Sequence, residues 1–345
     1  MELYINGIGV LSAAGISSKE SFPIEILEKE VSHLTCQEPN YLDYIPPMQL
    51  RRMSKAVRMG IGAVKLCLAD ASIQKPDALS VGTALGCLHD TENFLSKMVE
   101  QNEQMLSPTA FIQSTHNTVA GQIALLTGSN GHNLTFAHRG HSFEHALLNA
   151  KLYLNQHANE TVLVGGIDEL TETSLHLLKE LNVYEKTDRK PSDMFIHSTN
   201  GSIAGEGSSF FAISRTPSFQ SLKIERLHTF HTLDINQAKE EIKQFLALVP
   251  KPDTVILGIN GDVRTQEFYE ELMDHHFSTI GCAGFKHFCG EYPVAGSFAI
   301  AMAVWATRKE MPQGAWLARP SKSVKQIVVV NHFLHHFSCW SLSAS

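Results

Sequence analysis

The strongest constraint on what this chain can fold into is an alternation of short apolar runs and amphipathic stretches that occurs twice. The first series reads as strands Leu3 to Leu11, Leu79 to Gly86, Asn133 to Ala137, Thr161 to Gly166 and Phe210 to Arg215, with helices over Ser54 to Ala71 and Ser142 to Gln156. The second begins after Pro217, with strands Leu222 to Leu227, Thr254 to Ile259 and Lys325 to Val330 and helices Ile235 to Leu248, Thr265 to His275 and Ala295 to Arg308. Such alternation predicts an α/β fold with largely parallel strands. The β-branched run ending at Val330 is of the kind buried on both faces. Two series predict two pseudo-repeated α/β halves, residues 1–216 and 217–345, packed as one unit. The repeat rests on element order, since the halves show no simple sequence identity.

Composition excludes several classes. A net charge of −7, from 28 Lys plus Arg against 35 Asp plus Glu, carries no footprint for nucleic acid. No apolar run reaches the roughly 20 residues that span a bilayer. The first residues enter a strand directly rather than a signal peptide, so a cytoplasmic location is expected. Six cysteines without a C-x-x-C pair fit reduced thiols.

The segment Asn133 to Tyr153 reads as a strand, a tight turn and a helix. A strand-to-helix turn is where enzymes present a Cys or Ser to the positive end of a helix dipole. Here the apex holds Arg139, Gly140, His141 and Ser142, with no obvious nucleophile.

Several landmarks resemble, in one order, the β-ketoacyl synthases of the thiolase-like superfamily. Ile5 to Ser12 is similar to that family's T-G-x-G-x-x-S strand, Leu50-Arg51-Arg52-Met53 to its R-R-M segment, and Leu68-Ala69-Asp70-Ala71 to its E-D-A-G helix end. Leu106-Ser107-Pro108, Asn117 to Gly121, Val164-Gly165-Gly166 and Gly205-Glu206-Gly207 resemble its L-S-P, N-x-x-A-G, A-G-G and G-E-G motifs. More weakly, Lys286 to Gly296 resembles the K-S-x-x-G-H segment and Asn331-His332-Phe333 the start of N-S-F-G-F-G-G. The resemblance implies a thiolase-like fold in five layers, and dimers formed through the strand Asn133 to Ala137.

It also implies a catalytic Cys at the turn, two histidines and a glycine-rich oxyanion turn, and this sequence departs at each. Gly140 takes the place of the Cys, so nothing there can be acylated. The H-G-T-type segment reads Gly258-Ile259-Asn260-Gly261-Asp262, without a histidine. The second histidine's place falls on Glu291, after Lys286. A bare carboxylate about 4 Å from a developing anion costs about 4 kcal/mol at an effective dielectric of about 20. The glycine-rich turn is replaced by Leu334-His335-His336-Phe337. Four departures in one mechanism suggest a vestigial site.

The favoured reading is thus a degenerate ketosynthase that pairs with an active, Cys-containing one, as a chain-length factor does, in fatty-acid, polyketide or aryl-polyene synthesis. Expected partners are acyl carrier protein and a homodimer or heterodimer mate; no cofactor is implied. Phe136, Phe143, Phe288 and Phe333 are candidate walls of an acyl pocket. Arg51, Lys55 and Arg58, at spacings of four and three, would share a helix face that could dock an acidic carrier. A rival reading makes Ser142 or His141 the nucleophile of an active 3-oxoacyl-carrier-protein synthase or acyltransferase. Neighbouring helix positions point about 100° apart, which aims them away from the lost thiol. Ser142 reads more simply as a helix N-cap. A rival of another class is a zinc hydrolase, because His141-Ser142-Phe143-Glu144-His145 spells H-x-x-E-H. His141 and His145 would be ligands and Glu144 the base, but no third ligand helix is evident.

Overall fold

A computed structural model describes residues 2–345 except 18, 19, 24, 318 and 319. Its strands are β1 (Leu3–Ser12), β2 (Ala78–Gly82), β3 (Asn133–Phe136), β4 (Val162–Asp168), β5 (Gly207–Ser214), β6 (Leu222–His231), β7 (Thr254–Leu257), β8 (Gly281–Gly284), β9 (Gln326–Phe333) and β10 (His336–Ala344). They join edge to edge in the order β8-β7-β9-β10-β6-β1-β5-β4-β2-β3.

The repeat expected from element order is written in this topology. In the first half β3, β2 and β4 run parallel, and β5 and β1 follow as antiparallel neighbours. In the second half β8, β7 and β9 run parallel, and β10 and β6 follow antiparallel. The two five-stranded sets meet where Leu3, Tyr4 and Ile5 pair with Ile224, Lys223 and Leu222.

Helices cover both sides of each set: α1 (Lys55–Ala71), α2 (Leu88–Glu100), α3 (Pro108–Gln113), α4 (Thr118–Thr127), α5 (Ser142–Gln156), α6 (Glu172–Glu180), α7 (Ile235–Ala247), α8 (Val263–His275) and α9 (Gly296–Arg308). Apolar burial divides accordingly. Ala146, Ala150 and Leu154 of α5 and Phe298, Met302 and Ala303 of α9 share the central core with inward residues of both strand sets. α1 and α4 close a second core on one side, and α7 and α8 a third on the other. The result is a layering of helix, sheet, helix, sheet and helix, the five layers that the resemblance implies. α9 tolerates burial on nearly every face because it is rich in alanine, so two sheets can approach it closely.

The ends of the expected elements shift for local reasons. α1 starts at Lys55, with Ser54 extended just before it. β2 stops at Gly82, where the chain turns through Thr83–Gly86, with Gly86 at φ 66°. α8 begins two residues early, because Asp262 caps it by accepting from the Arg264 N–H. The strand β10 lies beyond the second series read from sequence. It returns from β9 through Leu334–His335, and Leu334 stands at φ 52°, a conformation in which glycine is the ordinary turn residue.

The two edges of the sheet differ. β8 is covered by the segment at 315–317, through Gly284 N–H to Ala315 O at 2.8 Å and Leu317 N–H to Cys282 O at 2.9 Å. β3 pairs only with β2 among the described residues, and its Leu134 is exposed. Leu125 of α4 and Leu152 of α5, on the two helices packed beside β3, are exposed as well. All six cysteines are buried and outside any disulfide. Among the described residues no helix is long and apolar enough to cross a membrane.

Candidate functional site

β3 delivers the chain into a 3-10 turn, Arg139–His141, that leads straight into α5. Two backbone features make the turn tight. Arg139 sits at φ 48°, and Gly82 of β2 lies so close beneath that a Cβ there would fall 2.4 Å from the Ser142 carbonyl carbon. The apex, Gly140, is buried under the β9–β10 hairpin. A Cβ at Gly140 would meet His336 Cβ at 2.9 Å and Phe333 Cβ at 3.0 Å. The hairpin therefore occupies the space above the apex, where any side chain at residue 140 would have to sit.

The substitute nucleophiles are engaged elsewhere. Ser142 is fully buried; its Oγ accepts from the His138 N–H at 2.8 Å and donates to Arg139 O at 2.8 Å. It is not the N-cap expected of it, because it is the first residue of α5 and its hydroxyl ties the turn backwards. His141 Nε2–H donates to Phe337 O at 3.0 Å, and burial pushes this imidazole down to about 4. Glu144 faces the central core, one carboxylate oxygen 3.3 Å from where a Cβ on Gly296 would lie, and burial raises its carboxyl to about 7.

A second polar group lies on the other side of Phe333. Lys286 Nζ donates to Glu291 Oε2 at 2.6 Å and to His332 O at 2.8 Å, and both side chains are almost wholly buried. This corrects the picture of a bare carboxylate. Burial pushes Glu291 up, while the Lys286 ammonium opposes the rise and compensates the charge. Asn260 spends its side-chain oxygen on the Asp262 N–H at 3.1 Å, so it holds a turn. His332 Nδ1 meets the Tyr269 hydroxyl at 2.7 Å, deep in the core. Asn260, Glu291, Phe333 and Leu334 border a cavity of about 200 Å³.

The two groups of candidate binding residues fare differently. Arg51, Lys55 and Arg58 do not share a helix face, because Arg51 precedes the start of α1. They nevertheless line one open cleft of about 1150 Å³, together with Arg52. Lys55 pairs with the buried Glu206 and Arg58 with Glu38 at 3.3 Å, which leaves Arg51 and Arg52 exposed there. The four phenylalanines do not converge on one wall. Phe143 packs between Phe211 and Trp340, with ring centroids 5.5 and 5.7 Å away. Phe288 packs on His287 and Phe298, and Phe136 lies against the central core. Only Phe333 borders either cavity.

The fold adds residues to the His141 and His145 pair read from the sequence. His138, His141 and His145 each bring a ring nitrogen within 4.8 Å of the others. His138 carries a weak signal, since positions 138, 141 and 145 are spaced by three and four. His336 carries none: the hairpin brings its ring to 4.9 Å from that of His141. Its Nδ1 is buried without a partner. Glu206, read only as part of a G-E-G motif, is a buried anchor that accepts from the N–H groups of Cys36 and Leu170, both at 3.0 Å.

Residues 28–180 match the family model described as beta-ketoacyl synthase, N-terminal domain. No curated protein matches the chain. Among solved structures, the ketosynthase ApeO in complex with its chain length factor ApeC, from Xenorhabdus doucetiae, is similar at TM-score 0.76 and 14% identity, covering 99% of this chain and 98% of that one. The ishigamide ketosynthase/chain length factor gives 0.75 and 13%, over 100% and 99%. A type II polyketide acyl-carrier protein in complex with its hexaketide-bound ketosynthase gives 0.75 and 15%, again over 100% and 99%. Identities this low establish the fold alone.

Proposed function

We propose that this chain, whose fold is ketosynthase-like, is a non-catalytic, chain-length-factor-type partner of a Cys-containing ketosynthase. Gly140 carries this reading. The position that would hold the acylated thiol has no side chain, and His336 and Phe333 stand where a Cβ would have to go. The compensated Lys286–Glu291 pair and the turn-holding Asn260 add two further places without the histidines that decarboxylative condensation uses.

The surface for the partner is the open edge of β3 with exposed Leu125, Leu134 and Leu152 around it. An unpaired strand edge flanked by apolar side chains is a template for another chain. Residues 1–216 and 217–345 then act as two halves of one scaffold. An acyl carrier protein, in fatty-acid, polyketide or aryl-polyene type assembly, would approach the cleft at Arg51 and Arg52.

The test is co-expression with a Cys-containing ketosynthase from the same organism, followed by intact mass spectrometry after incubation with acyl-loaded carrier protein. A stable heterodimer is expected, with the acyl mass on the partner only. An acyl adduct mapped to residues 138–145 of this chain would overturn the reading in favour of Ser142 or His141 as nucleophile.

A further inference from the structure

We propose that His138, His141 and His145 form a binding site for a divalent transition-metal ion of the zinc class, built on the turn that lacks its thiol. The proposal does not depend on the chain's partner or on its lack of condensing activity.

One ring nitrogen of each histidine lies within 4.8 Å of the other two. Two nitrogens bound to one tetrahedral zinc at 2.0–2.1 Å stand about 3.3 Å apart. His138 Nδ1 and His145 Nδ1 already stand at 3.1 Å, so this edge of the tetrahedron needs almost no movement. His141 closes onto them by a side-chain movement of at most about 1.5 Å, the difference between 4.8 Å and the ideal edge.

The surroundings have the character of a ligand site. His141 donates Nε2–H to the Phe337 carbonyl at 3.0 Å, which fixes its tautomer and leaves Nδ1 as the free lone pair. A backbone carbonyl on the far nitrogen is the usual outer support of a metal-bound imidazole. His336 sits beside His141 with a buried, unpartnered Nδ1, a candidate fourth ligand if its ring turns inward. His138 is exposed, so an ion has a path from solvent.

The same geometry separates this site from a hydrolase. The base of an H-x-x-E-H enzyme must reach the metal-bound water, but Glu144 is turned into the core toward Gly296 and is not among the grouped ligands. The ion would be structural, clamping the end of β3 to the first turn of α5 and, through His141 and Phe337, to β10.

Full-length protein stripped with a chelator, then dialysed against zinc chloride and assayed for zinc, should hold one zinc per chain. Cobalt(II) in place of zinc should give the intense visible bands of a tetrahedral site. His138→Ala and His145→Ala act on exposed and half-buried side chains and should each weaken zinc binding at least tenfold, with circular dichroism unchanged. His275→Ala with His276→Ala, an exposed pair elsewhere, should leave it intact. Fewer than about 0.1 zinc per chain, or binding that survives His138→Ala and is lost in the 275/276 variant, overturns the proposal. In the first case the three rings only pack on one another; in the second the metal sits on the surface pair.

Discussion

The β9–β10 hairpin touches two polar groups, the elbow around Gly140 and the Lys286–Glu291 pair, and it treats them differently. On one side is the elbow, where Gly140 lies under His336 and Phe333 and burial pushes the His141 and His336 imidazoles down to about 4. On the other side the chain keeps full charges, Lys286 and Glu291, and buries them as a pair. An apex without a side chain lets the neighbouring segment pack into the space above it. A buried charge requires a counter-charge, and losing either partner leaves the other unpaired. The two outcomes make different demands on mutation.

The largest effect should come from the charged side. Lys286→Met keeps most of the side chain's volume but leaves Glu291 buried beside apolar groups. Removing one partner of a buried pair costs about 3–5 kcal/mol. Urea denaturation should show a loss of that size, and adding Glu291→Gln should restore more than half of it. A Lys286→Met protein as stable as the parent would mean that the pair contributes no compensation and that the contrast between the two groups is false.

The elbow side should respond less, and sterically. In Gly140→Cys the new Cβ meets His336 and Phe333 at 2.9 and 3.0 Å, so the hairpin must shift. Overpacking of this kind costs about 1–3 kcal/mol. The introduced thiol should stay unlabelled by iodoacetamide, and His336→Ala in the same chain should recover part of the stability and admit the reagent. A Gly140→Cys variant that is undiminished in stability and readily acylated would show that the space above the apex is open.

These two groups also mark how far the sequence could be read. The alternation of strands and helices contained the fold class, because period and turn residues are local properties, whereas the strand order repeated in both halves is set by pairing between distant segments. Gly140 and Glu291 are read as departures only through the motifs on either side of them, and the structure adds that both are buried. What was not legible depends on distance. Lys286 lies five residues from Glu291, yet nothing in that spacing says the two would be buried together. His336 reaches the elbow only because β10 returns beside β9, and that strand follows a turn without glycine. The supposed helix face of Arg51, Lys55 and Arg58 failed for a related reason: spacing cannot tell a helix from the turn that precedes it. The phenylalanines proposed as an acyl wall are apolar in a chain whose core needs apolar residues, and burial there says packing first.

The smallest expected effect tests the turn that both groups share. Leu334 is half-buried at φ 52°, where an L-residue pays about 1–2 kcal/mol and glycine pays nothing. Glycine loses about 0.5–1 kcal/mol more chain entropy on folding, so the two terms nearly cancel. Leu334→Gly should change stability by less than about 1 kcal/mol, whereas Leu334→Ala keeps the strained Cβ and loses the side chain's contacts. Chemical denaturation should therefore rank the glycine variant above the alanine variant. The opposite order would mean that the leucine side chain, not the backbone, holds the hairpin down over Gly140. Relief of the elbow would then require removing Leu334's contacts as well as those of His336.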